Sequence, residues 1–294
     1  MKKILLSLLL IPIAGFSQNL IAEGFDTFAN LATAGWQETN QSSPVGASTW
    51  AQGAGTAFTS GGQTGGATSF ALVNFNSTTG ANTISNWLIT PVLNLQNGDV
   101  ITFYSRKGGD GTGTIYPDRF EMRLNSTNTG TAGNPVGPTS IGAFTTLAVS
   151  VNPNLTTTDY PFVWTQYSYT VTGLTGVVPC KIGFRYFVTD GGPSGNNSDI
   201  IGLDTFSVDR TLGTADFFKS NFTIYPNPSS DVISISNDNS VAINSIEVSD
   251  INGRIIKNVE ANSTTFSVRE LNAGVYFLKV TTADGVGTTK FIKQ

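Results

Sequence analysis

The 294-residue chain has no histidine and a single cysteine, Cys180. Without histidine there is no Ser-His-Asp triad, no Cys-His pair and no His-ligated zinc. One cysteine excludes an intrachain disulfide. Cys180 lies in the strand-like run Val178–Phe184, where a free thiol serves as a small apolar core residue. Charge is also scarce, with 12% of residues Asp, Glu, Lys or Arg and a net charge of −4. Lys and Arg are scattered, which argues against a nucleic-acid partner and against an anionic membrane surface. No segment has the run of about 20 apolar residues that a membrane-spanning helix needs. After residue 18 there is no amphipathic helical pattern of useful length.

What is abundant is Gly, Ser, Thr and Asn, together with 11% aromatic residues, a share too high for a disordered chain. Strand-like runs recur at Ser69–Phe75, Val100–Tyr104, Arg119–Leu124, Trp164–Val171, Lys181–Val188 and Ile200–Val208. Turn clusters such as Gly108-Gly109-Asp110-Gly111 and Asp190-Gly191-Gly192-Pro193 separate them. Many strands with long Gly-rich connections predict an all-β two-sheet sandwich or jelly roll. At the N-terminus, Lys2 and Lys3 precede the apolar run Ile4–Ile13, and Gly15 and Ser17 fit a cleavage site. Residues 1–17 are therefore expected to be a signal peptide removed before Gln18. The polar stretch Thr211–Asp216 suggests a boundary. The expected organisation is a large β-domain over 18–211, a linker over 212–221 and a small β-domain over 222–294. The large domain carries seven basic and twelve acidic residues, and residues 212–294 carry seven and eight, so the negative charge sits mostly on the former.

About seven short strands fit within residues 222–294. Asn252-Gly253 predicts a hairpin with a type I′ turn, and Asp284-Gly285 a second. Pro226 and Pro228 fix an extended entry and block ladder pairing there. An immunoglobulin-like β-sandwich is the natural result. On pattern alone, an accessory sandwich and a sorting device stand about level. The order of Tyr225-Pro226-Asn227-Pro228, Ile251-Asn252-Gly253-Arg254, Leu271-Asn272-Ala273-Gly274-Val275-Tyr276-Phe277 and Lys290-Phe291-Ile292-Lys293-Gln294 resembles the type A C-terminal sorting domain of the type IX secretion system of Bacteroidetes-type bacteria. That resemblance implies the type IX machinery as a partner and delivery to the medium or the outer cell surface.

The large domain has its own pattern: Glu23-Gly24-Phe25-Asp26, Gly35-Trp36, Trp50, Asn86-Trp87-Leu88-Ile89-Thr90-Pro91, Tyr116–Arg123, Trp164 with Tyr167, Ile182–Tyr186 and Gly202-Leu203-Asp204-Thr205-Phe206-Ser207-Val208. It resembles the cleaved-adhesin or choice-of-anchor J domain, which implies a MAM-like β jelly roll. In such folds the terminal strands run side by side. Glu23 and Asp204, with Asp26, are then expected to meet at a structural calcium ion, completed by carbonyls and water. The alternative is that Glu23 and Asp204 are hydrogen-bonded strand-end acids. Thr205 stands where family members often carry a second acid.

No motif supports catalysis. Asp118 and Glu121 lie three apart and would face opposite sides of a regular strand, so without a bulge they do not flank one glycosidic bond, which leaves only pairs distant in sequence. The Gly-rich stretches 107–113 and 53–66 lack P-loop and EF-hand patterns and read as surface connections. Trp36, Trp50, Trp87 and Trp164 read mainly as core, since an aromatic buries about 150–250 Å². Trp50, beside a Gly-rich loop, is the one kept as a ligand contact. The expected function is that of a secreted, non-enzymatic, adhesin-like protein that recognises an extracellular glycan or a host or matrix protein through jelly-roll loops. A carboxylate-based hydrolase and a structural matrix or biofilm component are the alternatives.

Overall fold

A computed structural model describes residues 17–294 apart from 59, 110–112, 212, 262 and 284. Residues 1–16 of the expected signal peptide, Asp284 of the second tail turn and Asp110-Gly111 of the first turn cluster therefore lie outside the described residues. The chain divides into two compact units, one spanning Asn19–Arg210 and the other containing Thr211–Gln294.

The first unit is a β-sandwich. Its strands are β1 (Ser17–Glu23), β2 (Gln37–Asn40), β3 (Ser43–Val45), β4 (Ala51–Gln52), β5 (Ala71–Asn74), β6 (Thr78–Ile89), β7 (Leu93–Leu95), β8 (Val100–Lys107), β9 (Phe120–Asn125), β10 (Thr146–Val151), β11 (Thr165–Thr170), β12 (Val178–Gly191) and β13 (Ile200–Thr211). One sheet runs β11-β8-β13-β5-β4, with β1 also on β13. The other runs β10-β9-β12-β6-β2, with β3 on β6 and β7 on β12. All mapped pairings in this unit are antiparallel. The first and last strands do lie side by side, as a jelly roll requires.

Alternation explains the layering. Along β8, Ile101 and Phe103 are buried while Val100, Thr102 and Tyr104 are only partly so. Phe103 meets Phe120 of β9 and Phe184 of β12 at ring separations of 5.6 and 5.5 Å, and Phe184 meets Phe206 of β13 at 5.3 Å. These rings join the two sheets, and each fully buried one contributes about 1.5–3 kcal/mol. Cys180 is fully buried in the same core, as its sequence setting suggests.

The second unit opens with α1 (Thr214–Asn221) and continues with β14 (Phe222–Tyr225), β15 (Val232–Asn237), β16 (Ile243–Ser249), β17 (Ile255–Val259), β18 (Thr265–Ser267), β19 (Gly274–Thr282) and β20 (Val286–Lys293). The sheets are β14-β15-β18 and β17-β16-β19-β20. Ile233, Ile246, Val248, Leu278, Val280 and Phe291 fill the space between them.

Two expectations need correction here. The stretch read as a linker forms α1, whose Phe217 and Phe218 are buried in the tail core. Its two turns are too short to show a helical period, and its polar first half hides the Phe pair. A Cβ on Gly287 would lie 3.0 Å from the Phe218 Cα, so the missing side chain lets helix and strand approach. The Asn252-Gly253 hairpin exists, but only Gly253 has positive φ, at 79°. Asp250 Oδ1 accepts from the N–H groups of Asn252 and Arg254, so a side-chain-held turn ending in a left-handed glycine replaces the type I′ turn.

Candidate functional site

Trp50 is in the core rather than at a binding surface. It is 1% exposed, and its ring N–H donates to the Asn86 carbonyl at 3.2 Å. It therefore has no face to offer a ligand. Trp36 and Trp87 are buried as expected. Trp164 is only partly buried and packs on Phe58 and Phe70.

Trp164 also helps to hold the Gly-rich stretch that the sequence presents as a free connection. Its Nε1 donates to the Gly61 carbonyl at 2.9 Å. On the other side, Asp204 Oδ2 accepts from the N–H groups of Gln63 and Thr64, and Oδ1 from that of Thr205. Thr205 has φ +47°, an outlier for a β-branched residue. It sits in an irregularity of the β13–β8 ladder. Its hydroxyl donates to Gln63 Oε1 at 2.7 Å. Burial raises the Asp204 pKa to about 6, against the lowering effect of the N–H groups of Thr64, Thr205 and Gln63.

The three expected calcium ligands thus have different surroundings. Glu23 Oε1 accepts from the N–H of Phe25 at 2.7 Å, and Asp204 is answered by N–H groups on both oxygens. Asp26 Oδ1 lies against Gly65, 2.7 Å from where a Cβ would stand, and Asp204 Oδ2 lies 3.2 Å from the corresponding point at Gly62. Asp26 and Asp204 therefore border one turn, and Asp26 accepts no hydrogen bond among the described residues. No group of three or more His, Cys, Asp or Glu able to hold a metal occurs among those residues. The fit to calcium is partial: one uncommitted carboxylate beside a turn, with Asp204 and Glu23 already engaged.

A buried charge network lies elsewhere in the same unit. Lys107 and Asp118 are almost wholly buried, with Nζ 3.4 Å from Oδ2. Lys107 Nζ donates to the Tyr116 carbonyl at 2.6 Å, and Asp118 Oδ1 accepts from the Tyr186 hydroxyl and the Asp199 N–H. Asp118 Oδ2 accepts no hydrogen bond. Burial raises the Asp118 pKa to about 6, while Lys107 lowers it. Burial also raises the Tyr186 hydroxyl well above its usual range.

Glu121 joins a different cluster, with Arg185 at 3.3 Å and Arg123 at 2.7 Å. Arg185 lies over the rings of Phe187 and Trp87, and burial lowers its pKa to about 10. Asp118 and Glu121 therefore do point to separate places. The networks around Lys107 and Arg185 have no motif in the sequence. The available signal was charge inside apolar runs, as at Arg106-Lys107 and within Ile182–Val188.

In the tail, three of the four sequence signatures converge. Asn227 donates to the Lys290 carbonyl and accepts from the Ile292 N–H, and the Ser229 N–H donates to the Ile292 carbonyl. Tyr276 stacks on Phe291 at 5.6 Å. The Pro-rich entry thus lies along the C-terminal strand, with its side-chain amide supplying bonds that proline cannot.

No curated protein matches the chain. Among solved structures, the K1 cleaved adhesin domain of Lys-gingipain from Porphyromonas gingivalis W83 is similar at 19% identity and TM-score 0.42, over 68% of this chain and 100% of that one. The K3 cleaved adhesin domain of the same protein gives 17% and 0.41, over 66% and 99%. The glycoside hydrolase domain of Endo-D from Streptococcus pneumoniae R6 gives 12% and 0.32, over 87% and 37%. The family model for the secretion system C-terminal sorting domain matches residues 223–294. No helix among the described residues is long and apolar enough to cross a membrane. The tail of this chain is a secretion system C-terminal sorting domain, which implies secretion or outer-surface attachment through the type IX system.

Proposed function

We propose that the chain is a secreted or surface-attached adhesin-like protein. Its tail engages the type IX machinery, and its jelly roll recognises an extracellular glycan or a host or matrix protein through its loops. The observation that carries this reading is the sorting-domain match at 223–294, together with a sandwich that forms a separate unit and commits several of its carboxylates. Asp99 pairs with Arg210, Asp118 with Lys107 and Glu121 with Arg185, while Asp204 holds a loop. None of these is free to act as one of two facing acids in glycoside hydrolysis.

The test is to screen the mature chain against glycans and extracellular-matrix proteins while assaying polysaccharides for released reducing ends. Binding without turnover is the expected result. Turnover would establish an enzyme, and self-assembly without any ligand would favour a matrix component. Mass spectrometry of the exported protein should find Gln18 as its first residue, and an intact Met1 would contradict the signal-peptide reading.

Calcium belongs to the same proposal, held at the turn that Asp26 and Asp204 border, while Glu23 stays with the Phe25 N–H. Asp26 and Asp204 would supply carboxylate oxygens of the kind calcium prefers. An ion that binds only the folded state adds about 2.7 kcal/mol at a hundredfold excess over its Kd. Thermal unfolding should therefore shift upward with calcium relative to chelator. Identical midpoints with no metal by elemental analysis would dismiss the site.

A further inference from the structure

Above the Lys107–Asp118 pair the first unit has a pocket of about 190 Å³, lined by Phe75, Tyr116, Gly192, Pro193, Ser198 and Asp199. Three stretches build it: the turn after β5, the segment leading into β9 and the connection between β12 and β13. The wall is tied directly to the buried pair. The Tyr116 carbonyl accepts from Lys107, the Asp199 N–H donates to Asp118, and the Ser198 N–H donates to the Pro117 carbonyl. The pocket is smaller than the roughly 300–1,000 Å³ that drug-sized ligands occupy, so it suits one side chain or one ring.

Its chemistry is lopsided. The Asp199 carboxylate lines the pocket, yet among the described residues it accepts no hydrogen bond and forms no ion pair. Asp118 Oδ2, buried beneath, is also without a hydrogen-bond donor. The cation at hand is Lys107, already shared between the Tyr116 carbonyl and Asp118. Two carboxylates against one ammonium leave a negative charge unmatched. Beside it are the ring of Tyr116, 42% exposed, and that of half-buried Phe75.

We propose that this pocket takes the guanidinium or ammonium end of an arginine or lysine side chain from a protein ligand. A cation there would pair with Asp199 and lie against the aromatic faces, whose quadrupole attracts positive charge. The acidic excess of the whole domain steers a basic segment toward it. This inference rests on the recognition role proposed above and makes it more specific, favouring a protein over a saccharide.

The experiment titrates the full mature chain with acetyl-arginine amide and acetyl-lysine amide, followed by NMR at Gly192 and Ser198 and by calorimetry. Acetyl-citrulline amide and methyl glucoside serve as uncharged controls. Saturable binding of the cationic probes, weakened by salt and cut at least tenfold by Asp199→Asn, is expected. Tyr116→Ala should weaken it less, and an unchanged thermal midpoint would show that both variants fold. Equal binding of citrulline, methyl glucoside in place of the cations, or no binding would overturn the proposal. Ligands found in the glycan and matrix screen that still bind the Asp199→Asn variant would refute this pocket and leave the recognition role standing. Failure of both probes and screen would remove both readings.

Discussion

The two units place their ion pairs differently. In the jelly roll, Lys107–Asp118, Arg185–Glu121 and Arg210–Asp99 have side chains that are at most 15% exposed. In the tail, Arg269–Asp231 is 70% and 59% exposed, and Lys279–Glu247, Lys257–Glu270 and Arg254–Asp250 are also on the surface. Buried pairs cost desolvation and tolerate no missing partner, whereas exposed pairs contribute little either way. The jelly roll therefore uses charge as part of its interior, and the tail relies on apolar packing.

The difference can be broken from either side. All four tryptophans lie before residue 210, so tryptophan fluorescence reports on the jelly roll within the intact chain, and hydrogen exchange can follow the tail. Lys107→Met should have the largest effect. It strands the Asp118 carboxylate and should cost about 3–5 kcal/mol in denaturant unfolding, with Lys107→Met/Asp118→Leu recovering most of it. A loss under about 1 kcal/mol would show that the pair is not the buried element described. In the tail, the sensitive position is a packing one. Gly285→Ala would put a Cβ 2.2 Å from the Phe217 ring and should cost about 1–3 kcal/mol, seen as faster exchange in α1 and β20.

Acidification should separate the units in sign. Asp118 has a folded pKa raised to about 6 from 3.8. Between those values the folded state binds protons that the unfolded state releases, so jelly-roll stability rises as pH falls from 7 toward 4. Glu270 is lowered to about 2 from 4.5, chiefly by its hydrogen bond from Lys257. Its contribution is present above about 4.5 and is lost as pH falls toward 2. A fluorescence midpoint in denaturant that is higher at pH 5 than at pH 7.5, and flattened by Asp118→Asn, checks the first sign. The smallest effect is expected for Arg269→Ala, below about 1 kcal/mol and vanishing in salt.

Much of this architecture was legible in the residues because alternation is a local signal. Ile101 and Phe103 announce the buried face of β8, and the paired prolines and closing aromatic strand mark the tail. The parts that escaped depend on distant partners. Trp50 sits beside a Gly-rich stretch yet is buried under β6, a placement that only the folded sheet decides. Asp199 follows a polar turn with nothing to distinguish it until Lys107 and Asp118 are brought beneath it. Glu23 and Asp204 lie on paired strands, but their hydrogen bonds depend on loop geometry that spacing does not encode. Helix α1 was hidden because its anchor points, Gly285 and Gly287, lie some seventy residues away.

The tail addresses the protein, and the jelly roll forms a separate unit. Expressing the chain without residues 212–294, so that α1 leaves with the tail core it packs in, and locating it by cell fractionation in a type IX-competent bacterium is the test. The account predicts a periplasmic protein with native-like tryptophan fluorescence and none at the surface or in the medium. Normal surface or medium levels of that truncated chain would contradict it.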